Sequence, residues 1–133
     1  MHKDILVIDD NSDIRFLICK ILKDQNYVVR SAANYEQAIL EINKKIPDLA
    51  IVDIKLDKTD KDGIDLLKLI ISKNKSTPII MISGHATVQI AVEAIRLGAY
   101  EFIEKPFSTE KILNYVKRAF ETASLKKEKD IIE

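Results

Sequence analysis

The stretch Pro47-Asp48-Leu49-Ala50-Ile51-Val52-Asp53 decides the fold. A Pro-Asp turn signal is followed by four apolar residues and then a carboxylate. An apolar run with no polar alternation reads as a strand covered on both faces, the pattern of a parallel sheet. Asp53 then falls at the carboxyl end of a buried strand, where α/β proteins place their chemistry.

The same pattern recurs on either side. Ile5-Leu6-Val7-Ile8 ends on Asp9 and Asp10, and Ile79-Ile80-Met81-Ile82 ends on Ser83-Gly84. Tyr100 to Glu104 is a weaker, partly polar strand suited to a sheet edge, and it runs into Lys105-Pro106. Val28-Val29 mark a short strand over Tyr27 to Ser31.

Between these runs the apolar residues change to helical spacing. Ile14, Leu17, Ile18, Ile21 and Leu22 predict a first helix that starts from an Asn11 or Ser12 cap and ends near Gln25-Asn26. Asn34 and Gln37 form a capping-box-like pair for a second, which buries Tyr35, Ala38, Ile39, Ile42 and Ile46. Leu66, Leu67, Ile70 and Ile71 give a third, broken at Ser76-Thr77-Pro78. Val88, Ala91, Val92 and Ile95 mark a fourth, closed by Gly98. Ser108 caps a fifth, whose stripe is Ile112, Tyr115 or Val116, Ala119, Phe120 and Ala123. Ile54 to Asp62 is polar and turn-rich, a loop.

Five strand-helix alternations with short connections predict an α/β domain with a doubly wound parallel sheet, since right-handed crossovers place helices on both faces. Rossmann and flavodoxin-like arrangements both remain open on this evidence.

A length of 133 residues suits one domain with its own core. Lys plus Arg and Asp plus Glu both number 21, so there is no basic excess of the kind nucleic-acid binders carry. The single Cys19 cannot close an intramolecular disulfide, and Met-His-Lys-Asp is not an apolar leader, so a cytoplasmic setting is expected. Cys19 reads as a small helix residue, with a reactive thiol as the alternative. No apolar run approaches the roughly 20 residues that span a bilayer.

The strand ends collect three acids, a hydroxyl and an amine: Asp9, Asp10, Asp53, Ser83 and Lys105. Carboxylates brought close together raise one another's pKa unless a cation sits among them. Hard oxygen donors with room for water suit Mg²⁺. A lysine beside them offers its charge to a phosphoryl oxygen.

With these motifs in this order, each ending an apolar strand, the chain resembles the receiver domains of bacterial two-component response regulators over about residues 4 to 122. Ile82-Ser83-Gly84-His85-Ala86-Thr87, and Gly98 through Phe107, look most like the nitrogen-regulation branch of that family. The resemblance implies a CheY-like (βα)5 fold with strand order 2-1-3-4-5. Residues 1–123 would be the receiver, and 124–133 a helix extension or a linker toward an output domain.

It also implies that Asp53 accepts a phosphoryl group from the phosphohistidine of a sensor histidine kinase. Asp10 would bind Mg²⁺ (or Mn²⁺) directly, Asp9 mainly through water, and the backbone carbonyl of Lys55 would complete the protein ligands. Lys105 would pair with Asp53 and then with the phosphoryl group, which Ser83 and the Gly84 amide would also hold. Phosphoryl transfer needs this kind of positioning and charge neutralisation more than acid-base chemistry.

Movement of Ser83 would be coupled to the ring of Phe102, three residues before Lys105, reshaping the face of helix four, strand five and helix five. Ile95, Phe102 and Tyr115 could then serve a homodimer or simply pack locally. Lys55 and His85 flank the path of attacking water in this family and would tune the phosphoryl lifetime; the bland reading is two exposed polar residues. The Lys105-Pro106 bond is expected to be cis. Transcription regulation through an output domain and a stand-alone relay are both consistent with the resemblance, and no direct nucleic-acid or membrane contact is expected of this chain.

Two departures stand out. Asp57 occupies the place where many receivers carry Pro, and Gly63 follows Asp53 two residues later than usual. A phosphatase with an aspartyl-phosphate intermediate would want a second acid where Lys55 stands, and a flavin site would want a Ser/Thr/Gly-rich loop after strand one. A degenerate receiver serving only as an interaction domain is disfavoured by the cost of keeping these charges together without an ion.

Overall fold

The computed structural model describes residues 2–56, 62–84 and 87–132, with backbone alone from 126 onward. Five strands alternate with five helices: β1 (Asp4–Ile8), α1 (Ser12–Lys23), β2 (Val28–Ala32), α2 (Tyr35–Lys44), β3 (Leu49–Asp53), α3 (Gly63–Lys73), β4 (Ile79–Ser83), α4 (Val88–Arg96), β5 (Glu101–Glu104) and α5 (Thr109–Ile132). All strand pairs are parallel, in the order β2-β1-β3-β4-β5. β2 starts and ends one residue later than the Tyr27 to Ser31 expected for it.

The three central strands are buried along their whole length, as their continuous apolar runs predict. Side chains alternate across the sheet. Leu6, Ile8, Ala50, Val52 and Met81 point to the layer of α2, α3 and α4. Ile5, Val7, Leu49, Ile51, Ile80 and Ile82 meet Ile18 and Leu22 of α1 and Ile112, Val116 and Ala119 of α5. This double burial holds the three strand tips that carry the acids and Ser83 in fixed relation.

Helix ends are set by local hydrogen bonds. The Asn11 side chain accepts from the Asp13 and Ile14 amides, so Asn11 and not Ser12 is the cap of α1. Asn34 accepts from the Gln37 amide, while the Gln37 side chain reaches back to the Ala33 amide, one residue short of a true capping box. Ser108 Oγ accepts from the Lys111 amide at the start of α5. α4 ends in a Schellman arrangement, with Gly98 N–H bonded to Ile95 O and Ala99 N–H to Ala94 O. Gly98 has φ of 116°, and a Cβ there would run into Ile71.

The predicted stripe of α4 is corrected. Ala94 is the buried residue of this helix, and Ile90 and Leu97 pack beside it on the core. Val88, Val92 and Ile95 face outward, at 80%, 47% and 45% exposure. In α2, Ala38 and Ile42 are buried, Tyr35 and Ile39 only partly, and Ile46 lies beyond the helix.

The connection after β3 is pinned at both ends. Leu56 is fully buried, Asp62 and Asp65 form a capping box, and Gly63 N–H bonds to Ile54 O at 2.8 Å. A Cβ on Gly63 would fall on the main-chain carbonyl of Asp53, so only glycine lets α3 begin this close to the strand. Residues 57–61 lie outside the described residues, and with them Asp57. The Lys105-Pro106 bond is cis. Cys19 is half-buried and burial pushes its thiol pKa up, against the reactive-thiol reading. No helix among the described residues is long and apolar enough to cross a membrane.

Candidate functional site

The carboxyl edge of the sheet gathers the predicted groups. At the tip of β1, Asp9 is fully buried and Asp10 is exposed. Asp9 Oδ1 accepts the Asn11 N–H at 2.9 Å, and Arg15 Nη1 donates to the Asp9 carbonyl at 2.7 Å. At the tip of β3, Asp53 Oδ1 accepts the Lys55 N–H at 3.2 Å and Oδ2 accepts from Lys105 Nζ at 3.1 Å. Lys105 Nζ also stands 3.0 Å from Asp9 Oδ2. That approach is an ion pair without hydrogen-bond alignment: among the described residues Asp9 Oδ2 is buried with no hydrogen-bond partner. One lysine thus bridges two acids on neighbouring strands.

One oxygen from each of Asp9, Asp10 and Asp53 lies within 4.8 Å of the others. Burial, reinforced by the charge of Asp9, raises the Asp53 pKa from 3.8 to about 6, although Lys105 and the Lys55 amide pull it down. For Lys105, burial works against its charge, but the contacts to Asp9 and Asp53 outweigh it and the pKa is raised. Three acids with one lysine leave a negative excess. A buried carboxylate oxygen without a hydrogen-bond partner, clustered hard oxygen donors and a raised carboxyl pKa together fit a divalent cation.

Ser83 is buried at the tip of β4, next to Asp53 in the cleft. This cleft, of about 430 Å³, is also lined by Lys55, Gly84, Lys105, Ile14 and Ile90. A Cβ on Gly84 would meet Lys105 only at ordinary contact distance, so packing does not demand glycine there. Phe102 pairs with Met81 in the β4–β5 register, two positions before the Ser83–Glu104 pair, so Phe102 and Ser83 share one sheet face. The ring is partly buried against the core beneath α4. His85 lies outside the described residues.

Sequence reading gave Arg15, Ile14 and Ile90 no role at this site, with Ile14 read only as part of the apolar stripe of the first helix. Arg15 could have been noticed as the residue one helical turn after the Asn11 cap, on the side facing the acid pair. The isoleucines carry no signal apart from the fold that brings α1 and α4 to the cleft.

A β2-β1-β3-β4-β5 sheet that delivers an acid pair, a further carboxylate, a hydroxyl and a lysine to one edge defines a CheY-like receiver domain. The chain belongs to the response regulator receiver domain family, whose model matches residues 5–117. It is 41% identical over 128 residues to the nitrogen assimilation regulatory protein NtrX of Azorhizobium caulinodans, covering 96% of this chain and 28% of that one. The crystal structure of the receiver domain of NtrX from Brucella abortus is similar with a TM-score of 0.84 and 44% identity, over 90% of this chain and 99% of that one. The solution structure of the beryllofluoride-activated NtrC4 receiver domain dimer matches with a TM-score of 0.83 and 34% identity, over 90% and 98%. The chain spans 24% to 28% of the length of curated relatives that it matches.

Proposed function

We propose that this chain is a phosphorylation-activated switch whose phosphoacceptor is Asp53. The observation that carries the reading is Lys105 Nζ held between Asp9 and Asp53, 3.0 Å and 3.1 Å away, beside a cluster of three carboxylates. Asp10, Asp53 and the Lys55 carbonyl would hold Mg²⁺ or Mn²⁺, with Asp9 reached through water. A bound divalent cation supplies the positive charge that lets an ionised carboxylate approach a phosphoryl group.

A carboxylate oxygen of Asp53 attacks phosphorus in the phosphohistidine of a sensor histidine kinase. The O–P bond forms as the N–P bond breaks, and the imidazole nitrogen keeps the electron pair. Lys105 then shifts its charge from the carboxylate to a phosphoryl oxygen, and Ser83 Oγ with the Gly84 amide holds another. By the family resemblance, Lys55 and His85 would tune the lifetime of the acyl phosphate.

Drawing Ser83 toward the phosphoryl group frees space on the face it shares with Phe102. Because Phe102 carries no hydroxyl, packing alone sets its rotamer. The ring's movement biases the surface of α4, β5 and α5 between two states. Val88, Val92 and Ile95 give that surface an apolar face for pairing of phosphorylated copies, a reading supported by the dimer formed by the beryllofluoride-activated NtrC4 relative.

Residues 1–123 make up the receiver, and 124–133 lead toward an output domain for transcription regulation in a longer protein. The much greater length of the NtrX relative supports this. The test is incubation with Mg²⁺ and a small-molecule phosphodonor, read by intact mass and acid lability. Wild type should gain one acid-labile phosphoryl group and Asp53→Asn none; an unmodified wild type overturns the proposal.

A further inference from the structure

We infer that Arg15 is a positioning residue for the cation-binding acid pair: by clamping the carbonyl of Asp9, it fixes the peptide that carries Asp10. The inference rests on the divalent-cation reading given above.

Neighbouring residues leaving a strand point to opposite sides, and here Asp9 is buried while Asp10 is exposed. For both carboxylates to bring an oxygen within 4.8 Å of Asp53 and of each other, the peptide between them must hold one orientation. Three hydrogen bonds around Asp10 do this. The Asn11 N–H binds Asp9 Oδ1 at 2.9 Å, the Arg15 N–H binds the Asn11 carbonyl at 2.9 Å, and Arg15 Nη1 binds the Asp9 carbonyl at 2.7 Å. Asp10 is therefore flanked by two pinned residues, both tied to the same arginine one turn into α1.

Among the described residues Arg15 makes no ion pair and no other side-chain hydrogen bond. Its charge-assisted donor capacity is directed at a single carbonyl, a bond stronger than a neutral one. Charge alone would work in the opposite direction, since a guanidinium near a cation site repels the cation. Groups that orient metal ligands typically change affinity by about 10- to 100-fold when removed.

The two effects have opposite signs, which makes them separable. Mn²⁺ binding to the unphosphorylated full chain is titrated by electron paramagnetic resonance for wild type, Arg15→Met, Arg15→Gln and Phe16→Ala. Met keeps the aliphatic stem without a donor, and Gln keeps an amide NH2 donor without the charge. Phe16, 73% exposed on the same helix, controls for disturbance of α1. Melting curves without cation set a temperature at which every variant is folded.

The expected result is about 10-fold weaker Mn²⁺ binding for Arg15→Met, partial recovery for Arg15→Gln, and no change for Phe16→Ala. Equal or tighter binding by Arg15→Met overturns the inference, as does a lowered melting temperature with unaltered affinity. Wild type that binds no Mn²⁺ overturns the cation reading and this inference with it. Wild type that binds, with both Arg15 variants alike, overturns the inference alone.

Discussion

In the cation-free protein at neutral pH, Asp53→Asn should be more stable than wild type. Asp53 is 4% exposed, and burial together with Asp9 holds its pKa at about 6 against the ordinary 3.8. At about 1.4 kcal/mol per pKa unit, keeping that carboxylate ionised costs the folded state roughly 3 kcal/mol. Asn keeps one acceptor oxygen where Lys105 and the Lys55 N–H now hold two, and the bond lost offsets about 1 kcal/mol. A net gain of roughly 2 kcal/mol remains. For a domain of this size that raises the melting temperature by about 6 to 10 °C.

The pH dependence has a definite sign. The folded-state pKa is the higher one, so Asp53's contribution to wild-type stability is fully present below pH 3.8 and lost as pH rises through about 6. Wild type and variant should therefore converge on acidification from neutral pH. Excess Mg²⁺ should shrink or reverse the difference, because a ligand that binds only the folded state stabilises wild type. Thermal and urea unfolding followed by circular dichroism, with chelator and with Mg²⁺, measures all three effects. A variant no more stable than wild type in chelator, or a gain that does not change with pH, refutes the idea that burial, with Asp9 beside it, makes the ionised Asp53 costly to the fold.

Gly63→Ala forces α3 away from the Asp53 carbonyl and should cost about 3 kcal/mol or more in urea unfolding, the range of other steric conflicts in a core. Arg30→Met strands the buried Asp4, which Arg30 grips at 2.6 Å and 3.0 Å, and also removes donors to the carbonyls of Glu41 and Lys45. Roughly 3 kcal/mol of stability should be lost, with phosphorylation at low temperature unaffected. Val92→Asp on the outward face of α4 should leave the melting temperature within about 2 °C, yet abolish any increase in mass that light scattering detects on phosphorylation.

The sequence was most readable where one physical cause dominates. The central strands are buried on both faces, so Ile5 to Ile8, Leu49 to Val52 and Ile79 to Ile82 were apolar without interruption, and the groups ending them marked the site. α4 was misread because valine, isoleucine and alanine occur all round so short a helix. Its buried side is set by what Ile90, Ala94 and Leu97 pack against, which periodicity alone does not encode. Arg15 was passed over for a related reason: its spacing from the Asn11 cap hints at its side of the helix, but its partner is a main-chain carbonyl, which leaves no mark in the residue string. The Lys105 bridge between Asp9 and Asp53 likewise exists only once β5 has come to the sheet's edge.

The missing Cβ of Gly63 has a consequence for how this chain can vary. With Gly63 seated on the Asp53 carbonyl and bonded to Ile54, and with Leu56 anchored in the core, the segment between is a cassette spliced into a closed frame. Extending such a loop from eight residues to ten costs only about 0.2 kcal/mol in closure entropy. The geometry around Asp53 is thereby insulated from the cassette's length. The chain can diverge there by insertion while the Asp53 carboxylate keeps its place.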